Sequence, residues 1–432
     1  MDPEWAENLN SVLDDNKILT LPTGDRLKLP ENVRIMMEVE SLKHATMATV
    51  SRCGMVWFAE DTVSVDMVLH QQLACLRDGV NLEKAAAGSG QASGILLSKE
   101  EADVRSKFVD HISPYMKGSP DLVGVVLDFA ISKPHIMEPN RGRLLTTLFS
   151  MLSRGVQSIL EYDDVNSDFP MSDDHLGLFT SKWLLYALLW SFGGSMSWVT
   201  RCELGTLLAS HSNIDLPSNM NIVDVQVNVQ DGGWVEWAAS VPRTELESHK
   251  AMSSDVVVTT TDTIRHTEVM SAWLTSHKPL ILCGPPGSGK TMTLSAVIDN
   301  HPEFVLATLN FSSGTAPDIL FKVFAQYCEV VESPDGLIMQ PTRQSYSEDK
   351  WLIVFCDEIN LPAVDKYNTQ RVIMFMRQLT EQGGYWRSSD CKWIRLRRIQ
   401  FVGACNPPTD SGRVSMSHRF MRHAPLLMVD YP

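Results

Sequence analysis

Pro279-Leu280-Ile281-Leu282-Cys283-Gly284-Pro285-Pro286-Gly287-Ser288-Gly289-Lys290-Thr291 joins an apolar run, a glycine-rich loop and a Lys-Thr pair. The run reads as a short buried strand and the pair as the start of a helix. Gly284 through Thr291 fits G-x-x-x-x-G-K-[ST], the spacing of a phosphate-cradling P-loop. The glycines let the backbone curl so that successive N–H groups point inward at an anion. A helix opening at Lys290 adds its positive dipole end. In this reading Gly284, Pro285, Pro286, Gly287, Ser288 and Gly289 line the cradle for ATP or ADP. Lys290 reaches the β- and γ-phosphates, and the Thr291 hydroxyl holds Mg²⁺. A Gly/Ser loop after a strand is commonly only a turn; here strand, spacing and Lys-Thr pair agree.

A second stretch points the same way. Trp351-Leu352-Ile353-Val354-Phe355-Cys356-Asp357-Glu358 is an apolar strand ending in two carboxylates, the form of a Walker B segment. Phosphoryl transfer to water needs one acid near Mg²⁺ and one that orients and activates the water. Asp357, expected to end a strand beside the P-loop, suits the first role, and Glu358 the second. The alternative is an acidic cap for a following helix. Ile399 to Asn406 is a further apolar strand with an amide at its tip, beside the Walker B strand. Asn406 would orient the attacking water; otherwise Asn406-Pro407 is simply a turn.

The 432 residues suffice for two or three domains with sizeable cores. A formal charge of −15 argues against a general nucleic-acid binder. The apolar run from Trp183 to Phe192 is too short to span a bilayer and reads as a buried core helix. No basic-plus-apolar leader opens the chain at Met1. Eight cysteines without a C-x-x-C pair are expected to be buried free thiols in a reducing compartment, the cytosol.

Taken in order, Asn8 to Asn16 reads as a polar helix or turn, and Thr20 to Pro30 as a hairpin about Thr23-Gly24-Asp25. Val33 to Val39 and Met55 to Phe58 read as strands. This last region and the C-terminus share a pattern: strand, polar tip, spacer, arginine, strand. Glu38 precedes Arg52 by fourteen residues, and Asn406 precedes Arg419 by thirteen, which suggests tandem related modules or a chance match of loose patterns. Residues 61–217 are mostly helical by apolar spacing, clearest over Ala102 to Tyr115, Arg141 to Glu161 and Ser181 to Phe192, with a flexible interruption at Lys84 to Gly94. Ile222 to Trp237 forms a small β element about Asp231-Gly232-Gly233, and Asp262 to Ser276 a helix leading into the P-loop strand. Further on are expected a strand at Phe304 to Phe311, a helix at Ala316 to Val331, an exposed insertion at Ser333 to Asp349 and a helix at Tyr367 to Gln382. Gly383 to Arg398 reads as a hairpin interleaving aromatic and basic residues. Its expected role is packing on neighbouring domains, favoured over nucleic-acid contact by the net charge. Alternating strands and helices opened by a P-loop imply an α/β fold, with the nucleotide at the carboxyl ends of parallel strands.

With Gly284 to Thr291, Cys356 to Asn360 (CDEIN) and Gly403 to Pro408 (GACNPP) in order, the chain resembles an AAA+ ATPase module. Longer phrases narrow this: Leu309 to Ser313 (LNFSS), Phe355 to Pro362 (FCDEINLP), Gln400 to Asp410 (QFVGACNPPTD), Ala48 to Phe58 (ATVSRCGMVWF), Asp2 to Trp5 (DPEW) and Asn8 to Lys17 (NLNSVLDDNK). Together they resemble a dynein heavy chain of the cytoplasmic type over nearly the whole chain. The resemblance implies a P-loop AAA+ parallel sheet sandwiched by helices, preceded by a helical lid and a truncated AAA+ remnant. Residues 1–60 would close the large subdomain of the second module, 61–240 form its lid and extension with the small β element, and 250–432 form the large subdomain of the third. Lys290, Glu358 and Asn406 would be catalytic, and Thr291 and Asp357 would hold the metal. Arg52 and Arg419 match arginine fingers offered in trans to the first and second modules' sites.

The chain begins after the second module's own P-loop and stops before a lid for the third, so it is expected to be a fragment, without the arginine finger a fourth module would supply. The intact parent would be a minus-end-directed microtubule motor of the cytoplasm, associated with the cytoskeleton. Its partners would be neighbouring AAA+ modules, intermediate and light chains and microtubules, with no nucleic acid and no membrane insertion. This third-module site would regulate the main one. Two other readings stand beside it: a nucleotide-holding scaffold that hydrolyses negligibly, and, more remotely, a P-loop kinase.

Overall fold

The computed structural model describes residues 6–21, 23–39, 41–59, 62–80, 97–117, 121–212, 214–217, 220–242, 259–334, 336–342 and 350–431. The chain divides into two compact units, Met1–Ser64 with Val364–Thr369, and Val65–Ala363 with Gln370–Pro432.

The smaller unit holds helix α1 (Asn10–Leu13), the antiparallel hairpin β1 (Ile18–Thr20) and β2 (Arg26–Lys28), and helix α2 (Met47–Val50). Gly24 takes the hairpin turn at φ +89°, a conformation that favours glycine. The strands expected at Val33 to Val39 and Met55 to Phe58 do not form: both stretches are irregular, and Met36, Met55, Val56, Trp57 and Phe58 are exposed. A strand is stabilised by a ladder, and neither stretch pairs with a strand among the described residues. The expected repeat therefore has its strands only in the C-terminal copy. The ring of Tyr367 meets His44 edge-on at 5.7 Å within this unit, so the helix expected from Tyr367 starts only at Arg371.

The larger unit opens with helices α3 (Val65–Arg77), α4 (Lys99–Lys117), α5 (Leu122–Ser132), α6 (Arg141–Val165), α7 (Asp173–Gly193) and α8 (Trp198–His211). Asn140, Ser172 and Ser197 cap α6, α7 and α8 by accepting from the N–H three residues on. Trp183 to Gly193 is buried all round, which makes α7 the central helix. The interruption expected at Lys84 to Gly94 lies outside the described residues. Strands β3 (Val225–Val227) and β4 (Trp234–Glu236) pair as the expected small hairpin.

Next come α9 (Thr261–Thr275), β5 (Leu280–Cys283), α10 (Lys290–Asp299), β6 (Phe304–Asn310), α11 (Asp318–Tyr327), β7 (Cys328–Ser333), β8 (Gly336–Pro341), β9 (Trp351–Asp357), α12 (Arg371–Gln382), β10 (Gly384–Arg387), β11 (Lys392–Leu396), β12 (Ile399–Cys405), α13 (His418–Met421) and β13 (Leu426–Met428). Five of the strands form an all-parallel sheet in the order β13-β5-β12-β9-β6. Strands β5, β9 and β12 are buried almost without alternation because both faces are covered, whereas the edge strand β6 alternates at its end, where Thr308 and Asn310 are exposed. In β9, Ile353 and Phe355 enter one core, which runs on into the helical region, whereas Leu352, Val354 and Cys356 enter the other. The sheet and helices form an α/β P-loop domain of AAA+ type joined to a helical region.

The helix expected over Ala316 to Val331 ends at Tyr327. Its β-branched tail instead forms β7, antiparallel to β8, within what was expected to be an exposed insertion. β8 pairs in parallel with β11, so the hairpin β10–β11 is half of a four-stranded sheet. Tyr385 and Ile394 are buried there, while Trp386 is exposed. All eight cysteines are free as expected, but Cys391 is exposed and three are only half-buried. No helix among the described residues is long and apolar enough to cross a membrane.

The helical region meets the sheet at Gly194, just past α7. Its carbonyl accepts from Met428 N at 2.7 Å, and Ser195 O accepts from Ile136 N at 2.9 Å. A Cβ at Gly194 would stand 2.6 Å from Trp190 O and 2.7 Å from Leu426 O, both backbone atoms that cannot swing aside. Gly194→Ala is expected to destabilise the larger unit by about 1–3 kcal/mol through overpacking. Gly314→Ala, where nothing lies within 4 Å of the added carbon, should be near neutral; urea unfolding of both variants checks this.

His266 on α9 is buried beside Arg201 and Arg265, and burial followed by those guanidinium charges pulls it from 6.5 to about 3. The unfolded chain binds this proton first. Stability is therefore full above pH 6.5 and declines toward pH 3, by at most ~1.4 kcal/mol per unit from this group. His266→Gln should flatten that part of the slope; equal slopes in wild type and variant between pH 6.5 and 4 would contradict the burial argument.

Candidate nucleotide site

The P-loop leaves the carboxyl end of β5 and enters α10. Gly284 is required where the loop begins, since a Cβ there would lie 1.9 Å from Val429 O on the neighbouring chain segment. Gly287 and Gly289 take φ +77° and +85°, which curls the loop, and Gly289 is the N-cap of α10 with no side-chain cap. The first turn of α10 is thus left to an external acceptor, as an anion cradle needs. Ser288 Oγ is buried without a hydrogen-bond partner among the described residues. Such an orphaned donor within a curled loop fits a phosphate group.

Lys290 reaches back over the loop. Its Nζ donates to Gly284 O and Pro285 O, each at 2.8 Å, and to Asn406 Oδ1 at 3.2 Å. Burial pulls the ammonium below its ordinary value, while the nearby carboxylates of Glu358 and Asp357 oppose that shift. The loop is further fixed by Tyr431, whose hydroxyl donates to Pro286 O at 2.7 Å. The Thr291 side chain, one residue into α10, is exposed.

Asp357 ends β9 and Glu358 directly follows it. The sequence reading placed Asp357 on the strand beside the P-loop; the structure instead inserts β12 between β5 and β9. Parallel pairing needs hydrogen-bonding edges on both sides of the central strand, and β12 offers them to β5 through Val402–Cys405 and to β9 through Ile399–Gly403. Asn406, at the tip of β12, is therefore the residue between the loop and the two acids. Asp357 Oδ1 accepts from Glu358 N at 2.9 Å, and Glu358 turns sharply out of the strand at φ +58°, sparsely populated for a side-chain-bearing residue. Its carboxylate is in ion-pair contact with Arg413.

Two of these residues were missed by reading the sequence. Asn360 is fully buried; its Nδ2 donates to Asn406 O at 2.9 Å, and its carbonyl accepts from Val414 N at 3.0 Å. It thereby folds the 406–414 loop back onto the end of β9 and brings Arg413 to Glu358. Nothing marks Asn360 in sequence beyond its place in the phrase from Phe355 to Pro362, and Arg413 is one of several basic residues there.

The arginine-finger candidates stand elsewhere. Arg419 lies on α13, which feeds the amino end of β13; the parallel sheet puts that end opposite the P-loop. Arg52 belongs to the smaller unit, where it is in contact with Asp14 and its Nη1 donates to Ala48 O at 2.7 Å.

Residues 246–432 match the family described as the P-loop containing dynein motor region, and residues 112–239 the dynein heavy chain AAA lid domain. Among known proteins the chain is similar to cytoplasmic dynein heavy chains: 48% identical to that of Neurospora crassa, 47% to that of Drosophila melanogaster and 44% to that of Dictyostelium discoideum. Each match covers all of this chain but only 10%, 9% and 10% of the relative, so the chain spans about a tenth of their length. On these matches, this chain belongs to the dynein heavy-chain family.

Proposed function

We propose that residues 284–291 bind ATP with Mg²⁺ in one AAA+ module of a dynein motor ring, and that Glu358 supports its hydrolysis. The observation that carries this reading is Lys290 and Asn406 meeting 3.2 Å apart over a glycine cradle whose helix end is uncapped. On binding, Lys290 Nζ exchanges carbonyl partners for phosphate oxygens. Asn406 orients water, and Glu358 accepts its proton. The hydroxyl of Thr291 and the carboxylate of Asp357 are hard oxygen donors that would hold Mg²⁺, which would supply positive charge beside the phosphates.

The matched spans support a register in which residues 1–60 end the second module, 61–240 form its lid and extension, and 250–432 are the third module's large subdomain. In it Arg419, facing away from its own P-loop, serves the second module's site in trans, and Arg52 the first's. The parent is then a minus-end-directed microtubule motor of the cytoplasm, with intermediate and light chains as partners, and this site regulates the principal one. A second reading, a nucleotide-holding scaffold, is favoured by the contact that ties Glu358 to Arg413.

Titration of a fluorescent ATP analogue with Mg²⁺ into Lys290→Ala is expected to show at least ~10-fold weaker binding than wild type, about 1.4 kcal/mol or more. Saturable binding that survives Lys290→Ala unchanged would remove the P-loop assignment. Glu358→Gln should bind ATP normally while slow turnover, measured as ADP formed from radiolabelled ATP, falls by roughly one to several orders of magnitude. Equal turnover in Glu358→Gln and wild type would remove the role assigned to Glu358, and no turnover in either would favour the scaffold reading.

A further inference from the structure

We infer that Arg413 is a positioning residue that latches Glu358 in a resting geometry, so that turnover at this site waits on movement of the 406–414 loop; the inference rests on the hydrolytic reading above. Four observations carry it. Arg413 Nη1 is in direct contact with Glu358 Oε2, and the arginine side chain is only 13% exposed. Glu358 is held in a left-handed backbone conformation at the end of β9, which limits where else its carboxylate can turn. The loop carrying Arg413 is pinned by Asn360, through Asn406 O at one end and Val414 N at the other. At the first of those ends, Asn406 also accepts from Lys290, the residue set to meet a phosphate.

The chemistry follows from that chain of contacts. A carboxylate in contact with the Arg413 guanidinium has one oxygen already engaged. It is also drawn to the loop instead of a water. A phosphate that draws Lys290 away from Asn406 loosens one tether of the loop that presents Arg413. The bond between phosphate-sensing lysine and water-activating glutamate is thus indirect, through Asn406, Asn360 and Arg413, all within the larger unit.

Single-turnover hydrolysis by the 432-residue chain, with protein in excess over radiolabelled ATP, tests this with a double-mutant cycle. Arg413→Ala is expected to raise the rate by about threefold or more with ATP affinity within about twofold of wild type. Arg413→Lys should stay near wild type, since the contact to Glu358 is made by one nitrogen and an ammonium can replace it. In a Glu358→Gln background, Arg413→Ala should change nothing. Unchanged affinity reports that the loop still folds in each variant. Turnover that appears only in Arg413→Ala supports the latch, as does a gain that vanishes with Glu358→Gln. A slower or unchanged Arg413→Ala, with Glu358→Gln slower than wild type, overturns the latch and leaves the hydrolytic reading intact. A gain that persists with Glu358→Gln also overturns the latch, because Arg413 then acts through another group. Glu358→Gln turning over as fast as wild type, or no ADP from either wild type or Arg413→Ala, overturns the hydrolytic reading and the latch with it.

Discussion

Strand β12 is paired on both edges and buried on both faces, and this double confinement sets the rest of the site. Its register with β5 and β9 leaves no freedom to slip, since a one-residue shift would exchange the side chains feeding the two cores. The tip of β12 must then fall between the P-loop and the end of β9. An amide at that tip can touch Lys290 on one side and be tethered by Asn360 on the other. The polar site is thus an outcome of apolar packing. The gap between two parallel strands is filled by a third, and whatever residue ends that third strand is delivered to the phosphate mouth.

The same logic extends to the helical region. One continuous core runs from α3 through α7 to the sheet face formed by Leu280, Leu282, Phe355 and Val402. No polar seam separates lid from sheet there, and from Trp183 to Gly193 α7 has no solvated face. Arg201, buried at this junction, is satisfied by the carbonyls of Gly193, Gly194 and Met196 and stacks 4.8 Å from the Trp190 ring centroid. An arginine spent on three carbonyls fixes the chain reversal after α7, which is what aims Gly194 at β13.

Much of this was legible in the chain itself. The P-loop spacing, the apolar runs of β5, β9 and β12 and the long helices α6 and α7 carry local signals strong enough to survive any tertiary context. What failed was decided by distant partners. Val33 to Val39 and Met55 to Phe58 have the composition of strands but pair with none in the described residues. Cys328 to Ser333 continues an apparent helix, yet becomes β7 because β8 lies ready to pair with it. The order of the sheet was not legible either, so Asp357 was set one strand too close to the loop. Arg413 is the plainest case: as a letter it is one more surface cation, and only the fold of the 406–414 loop makes it the partner of Glu358.

The bond from Met428 N to Gly194 O, described above as the meeting of helices and sheet, has a second consequence. β13 is an edge strand, three residues long, with β5 on its inner side. Open edges of parallel sheets are templates on which foreign strands can grow. Here the outward N–H of Met428 is already spent, and the close approach of Gly194 to Leu426 O leaves no room for another backbone. The turn after α7 therefore works as a stopper: by ending the sheet, it protects the chain from self-association along the strand nearest the P-loop strand.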